Sequence, residues 1–216
     1  MKPAPRLLRG LAASTAVLAL VACSVLPESR QLTVYSLPAA YPAQAAAPLA
    51  PARTVRVAAP ESGRMIDSSR ILVTPSHNRL SAYEGARWSD PVPELLRDRL
   101  VQGLLRDGRL QAVSARSGLP ADLELSGILS EFQVRYESQG PVARIRYDAR
   151  LLRGDTRQTL AARTFEAARP LQGTQAAAAV QALGLATDEL AQALIDWIAA
   201  QASQGLPQAG MPPPRR

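Results

Sequence analysis

The feature that most limits how this chain can fold is a lone thiol. Cys23 is the only cysteine among 216 residues, so no internal disulfide can staple the chain, and any fold must rest on a hydrophobic core. Its position is informative as well. Lys2, Arg6 and Arg9 make the first ten residues basic without an acid, and residues 11–22 form an apolar, Ala- and Leu-rich run. As a helix, twelve such residues extend about 18 Å, short of the roughly 20 residues that a bilayer core requires. A positive segment followed by a short apolar one is the layout of a secretory signal peptide. Leu20-Val21-Ala22-Cys23 completes it as a lipobox: an aliphatic residue at minus three, a small residue before the cut, then cysteine.

These residues predict a lipoprotein signal peptide over 1–22, cleavage before Cys23, diacylglycerol on its sulfur and an acyl group such as palmitate on the new amino terminus. Two or more acyl chains, each gaining ~0.8 kcal/mol per buried CH₂, anchor stably where one does not. Ser24 rather than Asp follows the cysteine. By the sorting rule of enterobacterial lipoproteins, that favours the outer membrane, with the rest of the chain on the periplasmic face of the envelope.

Removing the three leader cations from the 25 basic residues leaves 22 against 18 acids, a net charge near +4. Lys2 is the only lysine, the arginines are scattered, and aromatics make up only 4% of the chain. A nucleic-acid surface would need a basic stripe interleaved with aromatics, so this class is disfavoured. About 190 residues remain after the leader, enough for one domain with a real core.

Along the chain, residues 23–30 form the lipidated N-terminal segment, and a domain over 31–202 follows. Leu32 and Val34 alternate with neighbours over 31–37 in a short strand. Pro38–Ala52, with four prolines among alanines, reads as an extended linker. Val55 and Val57 mark a second strand ending at Pro60–Gly63. Arg70–Val73 and Arg79–Tyr83 form two more extended runs with a turn at Pro75–Asn78. Ser89-Asp90-Pro91 supplies a cap and a first-turn proline for a helix from about Pro91 to Asp107. Leu96, Leu100 and Leu104 form its apolar stripe, broadened by Leu95, Val101 and Leu105, with Arg97, Asp98, Arg99 and Arg106 on the other side and Gly108 closing it.

Leu110–Val113 is a short strand. From Ala121 to Ala168 the alternation is strongest. Leu123, Leu125 and Leu129 keep one parity and Phe132, Val134 and Tyr136 the other, which predicts a bulge between Gly127 and Glu131. Ile145, Tyr147, Ala149 and Leu151 alternate with Arg144, Arg146, Asp148 and Arg150, a half-buried strand with one wet face. With a turn at Arg153–Arg157 and a return through Thr159–Ala168, this is a three-stranded antiparallel meander. From Gln172 to about Gln201, Val180, Leu183, Leu190, Leu194 and Trp197 keep helical spacing, interrupted by Thr187. That helix packs either on the domain's own sheet or, as a coiled coil, on a partner. Residues 203–216, with Pro212–Pro214, read as a disordered tail. The expected fold is α+β, a single domain in which a mainly antiparallel sheet carries two helices on one face.

The inventory for catalysis is thin. His77 is the only histidine and Cys23 is spent on lipid, which removes His-based triads and most metal sites. No phosphate loop can be built without a lysine beyond the leader. The expectation is no enzyme, no metal and no cofactor beyond the covalent lipid. Glu124 with Glu131, or Asp148 with Glu166, remain as carboxylate pairs for acid–base work, against their reading as solvated acids on a wet sheet face. Tyr83 and Trp88, flanking Gly85, are either an aromatic ligand patch or, for Trp88, the plug of the helix entrance.

The order of these features resembles the ABC-type transport auxiliary lipoproteins. The resemblance rests on the lipobox, Tyr35-Ser36-Leu37, Val55-Arg56-Val57, Arg70-Ile71-Leu72-Val73, Arg79-Leu80-Ser81-Ala82-Tyr83 and Arg87-Trp88-Ser89-Asp90-Pro91 running into Pro93-Glu94-Leu95-Leu96. It covers roughly residues 31–200. It implies an accessory component of transporters that combine an ATPase and permease with a mammalian-cell-entry (MCE) protein and move lipid between membranes, as in the paraquat-inducible system. Its partners would be that MCE-domain protein and the permease complex, docked by an outer-membrane-anchored domain that supports envelope integrity. Self-association as a homo-oligomer stays open. The resemblance also implies that strand 31–37 is pinned to the sheet, in which case the Pro/Ala segment is no free tether. The rival reading is a periplasmic module that binds lipid or another hydrophobe in a cavity between sheet and long helix. A cavity of ~300 Å³ or more would favour it.

Overall fold

Strands and helices form where side-chain periodicity calls for them. The computed structural model describes residues 31–38, 47–48, 53–76 and 79–203. In chain order these form β1 (Thr33–Tyr35), β2 (Thr54–Val57), β3 (Glu61–Ser62), β4 (Arg70–Ser76), β5 (Arg79–Trp88), α1 (Val92–Asp107), β6 (Gln111–Ser114), β7 (Leu123–Glu137), β8 (Gly140–Arg153), β9 (Thr159–Pro170) and α2 (Ala176–Ser203). The expectations for the leader, Cys23, most of the Pro38–Ala52 linker, His77 with Asn78, and the tail beyond Ser203 lie outside the described residues. Leu32 onward belongs to one unit.

β7 is the spine of the sheet. One edge pairs antiparallel with β8 from Leu123 opposite Arg153 to Glu137 opposite Gly140, and β8 carries β9 antiparallel, which is the expected meander. The register shifts between Leu129 and Glu131, where the parity change required a bulge. The extra residue lets Leu123, Leu125 and Leu129 on one side of it, and Phe132 and Val134 on the other, reach the same core; all are at most 1% exposed. Just upstream, a Cβ at Gly127 would lie 2.2 Å from the Asp148 carbonyl oxygen. Only glycine lets β8 approach so closely there.

The other edge of β7 is shared by three short strands laid end to end. β2 takes Leu123–Leu125, β3 takes Ile128 and Leu129, and β4 takes Val134 and Arg135, all in parallel. β6 continues parallel beyond β2, while β5 pairs antiparallel with β4 and β1 pairs parallel with β5. The α+β architecture is thus as expected, but the sheet is mixed. Its antiparallel part is the part that hairpin turns create, and its parallel part joins segments far apart in sequence.

Both helices pack on the core side. Leu96, Leu100 and Leu104 of α1 and Leu190, Leu194 and Trp197 of α2 are at most 8% exposed, and Trp197 meets Phe165 of β9 edge-to-face at 5.5 Å. The long helix therefore lies on its own sheet. Thr187, the polar break, is fully buried and spends its hydroxyl inside the helix, donating to the Leu183 carbonyl at 2.7 Å. Gly108 caps α1 with φ 76, its N–H donating to Leu104, where a positive φ favours glycine.

Three local expectations are corrected. The N-cap of α1 is Pro91, with no side-chain cap bond; the Ser89 N–H instead donates to the Tyr35 carbonyl at 2.8 Å. Leu105 does not broaden the stripe but is 58% exposed. Arg97 and Arg99 are buried rather than wet; for Arg99 the cause is a second layer over that side of α1. Arg97 pairs with Glu94 and Asp98. Arg99 lies 3.3 Å from Asp188 on α2 and donates to the Leu37 carbonyl at 3.4 Å.

Those contacts also hold the chain after β1. A Cβ at Gly184 of α2 would meet the Pro38 ring at 3.1 Å, so Leu37 and Pro38 run directly over the helix pair. β1 is pinned, as the resemblance implied. With β1 and β2 both in the sheet, the intervening Pro/Ala segment joins two parts of the body and adds no reach toward a membrane.

Candidate functional site

The sequence singled out Cys23, which lies outside the described residues. Within the body, the candidate is the sheet face that the helices leave uncovered. It arises from alternation along β8. Ile145, Tyr147, Ala149 and Leu151 point into the core and are at most 1% exposed, which forces Arg144, Arg146, Asp148 and Arg150 to the other side. β7 contributes Glu131, Gln133 and Arg135 to that side, and β9 contributes Ala162, Thr164 and Glu166, level with Arg150, Asp148 and Arg146 respectively.

The charges on this face are laced together. Arg146 bonds Glu166 and lies 3.9 Å from Asp148, whose carboxylate accepts from the Thr164 hydroxyl at 2.6 Å. Arg135 reaches Glu131 at 2.9 Å and Arg144 reaches Glu137 at 2.5 Å. The Arg144 hydrogen bond, aided by the charges of Arg144 and Arg135, holds the Glu137 carboxyl below the usual carboxylate range. Two shallow clefts lie between these side chains. One of about 290 Å³ is lined by Glu131, Arg135, Arg144, Arg146 and Glu166. The other, about 390 Å³, is lined by Ile128, Asp148, Arg150, Ala162 and Thr164, with Ile128 42% exposed. Both open to solvent on the uncovered face, not between sheet and helices.

A third feature was invisible to local pattern. Glu124, 5% exposed, is clamped between Arg56 of β2 at 3.4 Å and Arg157 of the β8–β9 turn at 3.1 Å. Arg157 reaches it from a left-handed conformation, φ 58, one that non-glycine residues rarely adopt. The sequence signals the turn but not the long-range partner.

A model of the family described as the ABC-type transport auxiliary lipoprotein component matches residues 35–194. The chain belongs to this family. The match begins in β1 and ends in α2, so it spans every strand from Tyr35 onward. A crystal structure of a protein from Xanthomonas campestris superposes with a TM-score of 0.73 at 29% identity, covering 80% of this chain and 97% of that one. An uncharacterized protein (TM-score 0.61, 18% identity, 78% and 99% covered) and a hypothetical protein from Chlamydia trachomatis (0.50, 9%, 71% and 99%) share the fold. The search of curated proteins gave no match.

In this auxiliary lipoprotein the carboxylates considered for acid–base work each have another occupation. Glu124 is clamped by two arginines, Glu131 pairs with Arg135, and Asp148 and Glu166 both face Arg146. Trp88 is fully buried, edge-on to Phe132 at 6.1 Å, and plugs the entrance to α1. Tyr83 is half-buried, and burial, with a lesser contribution from Tyr136, pushes its phenol up to about 12. The two aromatics do not form a shared exposed patch. No helix among the described residues is long and apolar enough to cross a membrane.

Proposed function

We propose that this auxiliary lipoprotein is held by lipid on Cys23 to the periplasmic face of the outer membrane. There it docks the MCE-domain protein and permease complex of an ABC-type intermembrane lipid transport system, and so supports envelope integrity. It acts by binding, with no catalytic step and no cofactor beyond its own acyl chains. The observation that carries this reading is the division of the sheet. One face is closed by helices over side chains packed at 0–8% exposure, and the other is open, charged on both signs and shallowly grooved. A surface of that kind suits a protein partner, whose complementary charges fix register and suppress wrong partners. Both clefts are open and shallow, which favours docking over the enclosure of an acyl chain.

The test is photo-crosslinking in cells from Thr164, at the centre of the open face, with Gln192 on the exposed side of α2 as control. The expected product at Thr164 is an adduct with an MCE-domain protein, reduced several-fold by Arg146→Glu and absent at Gln192. Equal adducts at both positions, or a Thr164 adduct containing no transport component, would overturn the assignment. A form beginning at Ser24 behind an ordinary cleavable leader should bind the same partner in vitro yet fail in cells. A diffusing domain loses the effective concentration that a tether gives, so full complementation by that form argues against anchoring.

A further inference from the structure

The body of the protein begins with two aliphatic side chains in water. Leu32 and Val34 are 52% and 50% exposed, although β1 is an edge strand, a place usually kept short, charged or covered. Register fixes the direction in which Val34 faces. Tyr35 is level with Trp88, whose ring is buried in the core, so Val34 points to the opposite face, beside Arg87. Leu32 shares its alternation. Arg87 is in turn level with Arg70 on β4, and both are exposed. Val34, Arg87 and Arg70 thus form a row across three strands, with Leu32 next to it. Like charges directly opposite in a sheet repel, and an anionic surface laid against them removes that cost.

Chain length decides what covers the patch. Only residues 24–31 separate Cys23 from Leu32, and fully extended they span at most about 30 Å. On the reading that Cys23 is acylated, on which this inference rests, a bilayer is within reach at all times. Aliphatic side chains beside arginines match the boundary between headgroups and acyl chains in an anionic membrane. We propose that the β1 edge, through Leu32, Val34, Arg87 and Arg70, is a second membrane contact that seats the domain on the bilayer holding its anchor. β1 and β9 are opposite ends of the strand order β1-β5-β4-β7-β8-β9. The clefts beside β9 thus lie at the far end of the sheet from the seated edge.

The test uses the full-length lipoprotein in vesicles of phosphatidylethanolamine and phosphatidylglycerol. Because Cys23 carries lipid, an added cysteine is the one reactive thiol and accepts an environment-sensitive fluorophore. A probe at Val34→Cys is expected to shift to the blue on reconstitution and to be quenched by brominated acyl chains. At Leu185→Cys, 49% exposed on α2, neither change is expected. Adding Arg70→Glu and Arg87→Glu should abolish most of the quenching at position 34 while the protein still floats with the vesicles. Floating protein whose position 34 is unquenched overturns the seating and leaves the anchor standing. A blue shift without quenching means that protein, not lipid, covers β1, and also overturns it. Protein that does not float removes the anchor and this inference together.

Discussion

The two faces of β8 use the same backbone and opposite chemistry. Toward the helices, Ile145, Tyr147, Ala149 and Leu151 lose nearly all contact with water; toward solvent, Arg144, Arg146, Asp148 and Arg150 keep it. Burial on the first face supplies stability, because apolar area removed from water is the main favourable term in folding. Ion pairs on the second contribute little, since exposed pairs are worth ~0 to 1 kcal/mol. A protein built this way separates what holds it together from what a partner sees. Open-face residues can then change without disturbing the fold.

The sharpest way to break that contrast is to place one carboxylate on each side. Leu190→Asp should cost several kcal/mol of a total of only ~5 to 15, and the domain should unfold or be degraded. Ala162→Asp on the open face, level with Arg150, should stay within about 0.5 kcal/mol of wild type in a thermal or urea melt. Equal effects would mean that the open face is structural as well.

A second, smaller effect sharpens the comparison on α1. Arg99→Leu leaves the Asp188 carboxylate at the helix interface without this cation, and should cost roughly 3 kcal/mol. The double variant Arg99→Leu with Asp188→Leu should recover most of it. If the single variant melts like wild type, the pair is as expendable as those outside.

The smallest effect runs the other way. Tyr147 is fully buried and its hydroxyl has no hydrogen-bond partner, so Tyr147→Phe should leave stability unchanged or raise it by about 1 kcal/mol. Burial raises the Tyr147 pKa, slightly offset by Arg150. A raised folded-state pKa means stability that is complete below the unfolded phenol's pKa of ~10 and is lost as pH climbs past it. The phenylalanine variant should therefore lose less stability than wild type between pH 9 and 11, as read from urea midpoints (an interval set roughly around that phenol value). An identical alkaline loss would assign it to other groups.

What could be read from the sequence follows the range of the interactions involved. The alternation in β8, the bulge beside Leu129, the Gly108 cap and the core leucines of both helices are written within a few residues, and periodicity finds them. The burial of Arg99 escapes the sequence because one helix's pattern cannot reveal that a second helix and the Leu37–Pro38 segment cover that side. The parallel pairings of β2, β3 and β4, and the Arg56–Glu124–Arg157 clamp, join residues up to 68 positions apart, and nothing local encodes them. For function the balance reverses. The expectation for Cys23 rests on a motif in the chain alone, whereas the open face needs three strands in register before its charges become one surface.

The single edge of β7 that serves three strands has a consequence in time as well as in space. β2, β3 and β4 precede their common partner by many residues, so a chain emerging from its amino terminus cannot satisfy those backbone groups until residue 137 has appeared. Until then three short segments with apolar side chains are exposed to the wrong strand, including one from another molecule. Assembly must wait for the second half of the chain, and the many long-range pairings make it intrinsically slow. Completion of β7 is thus the latch that closes the domain, whatever order its earlier segments become available in.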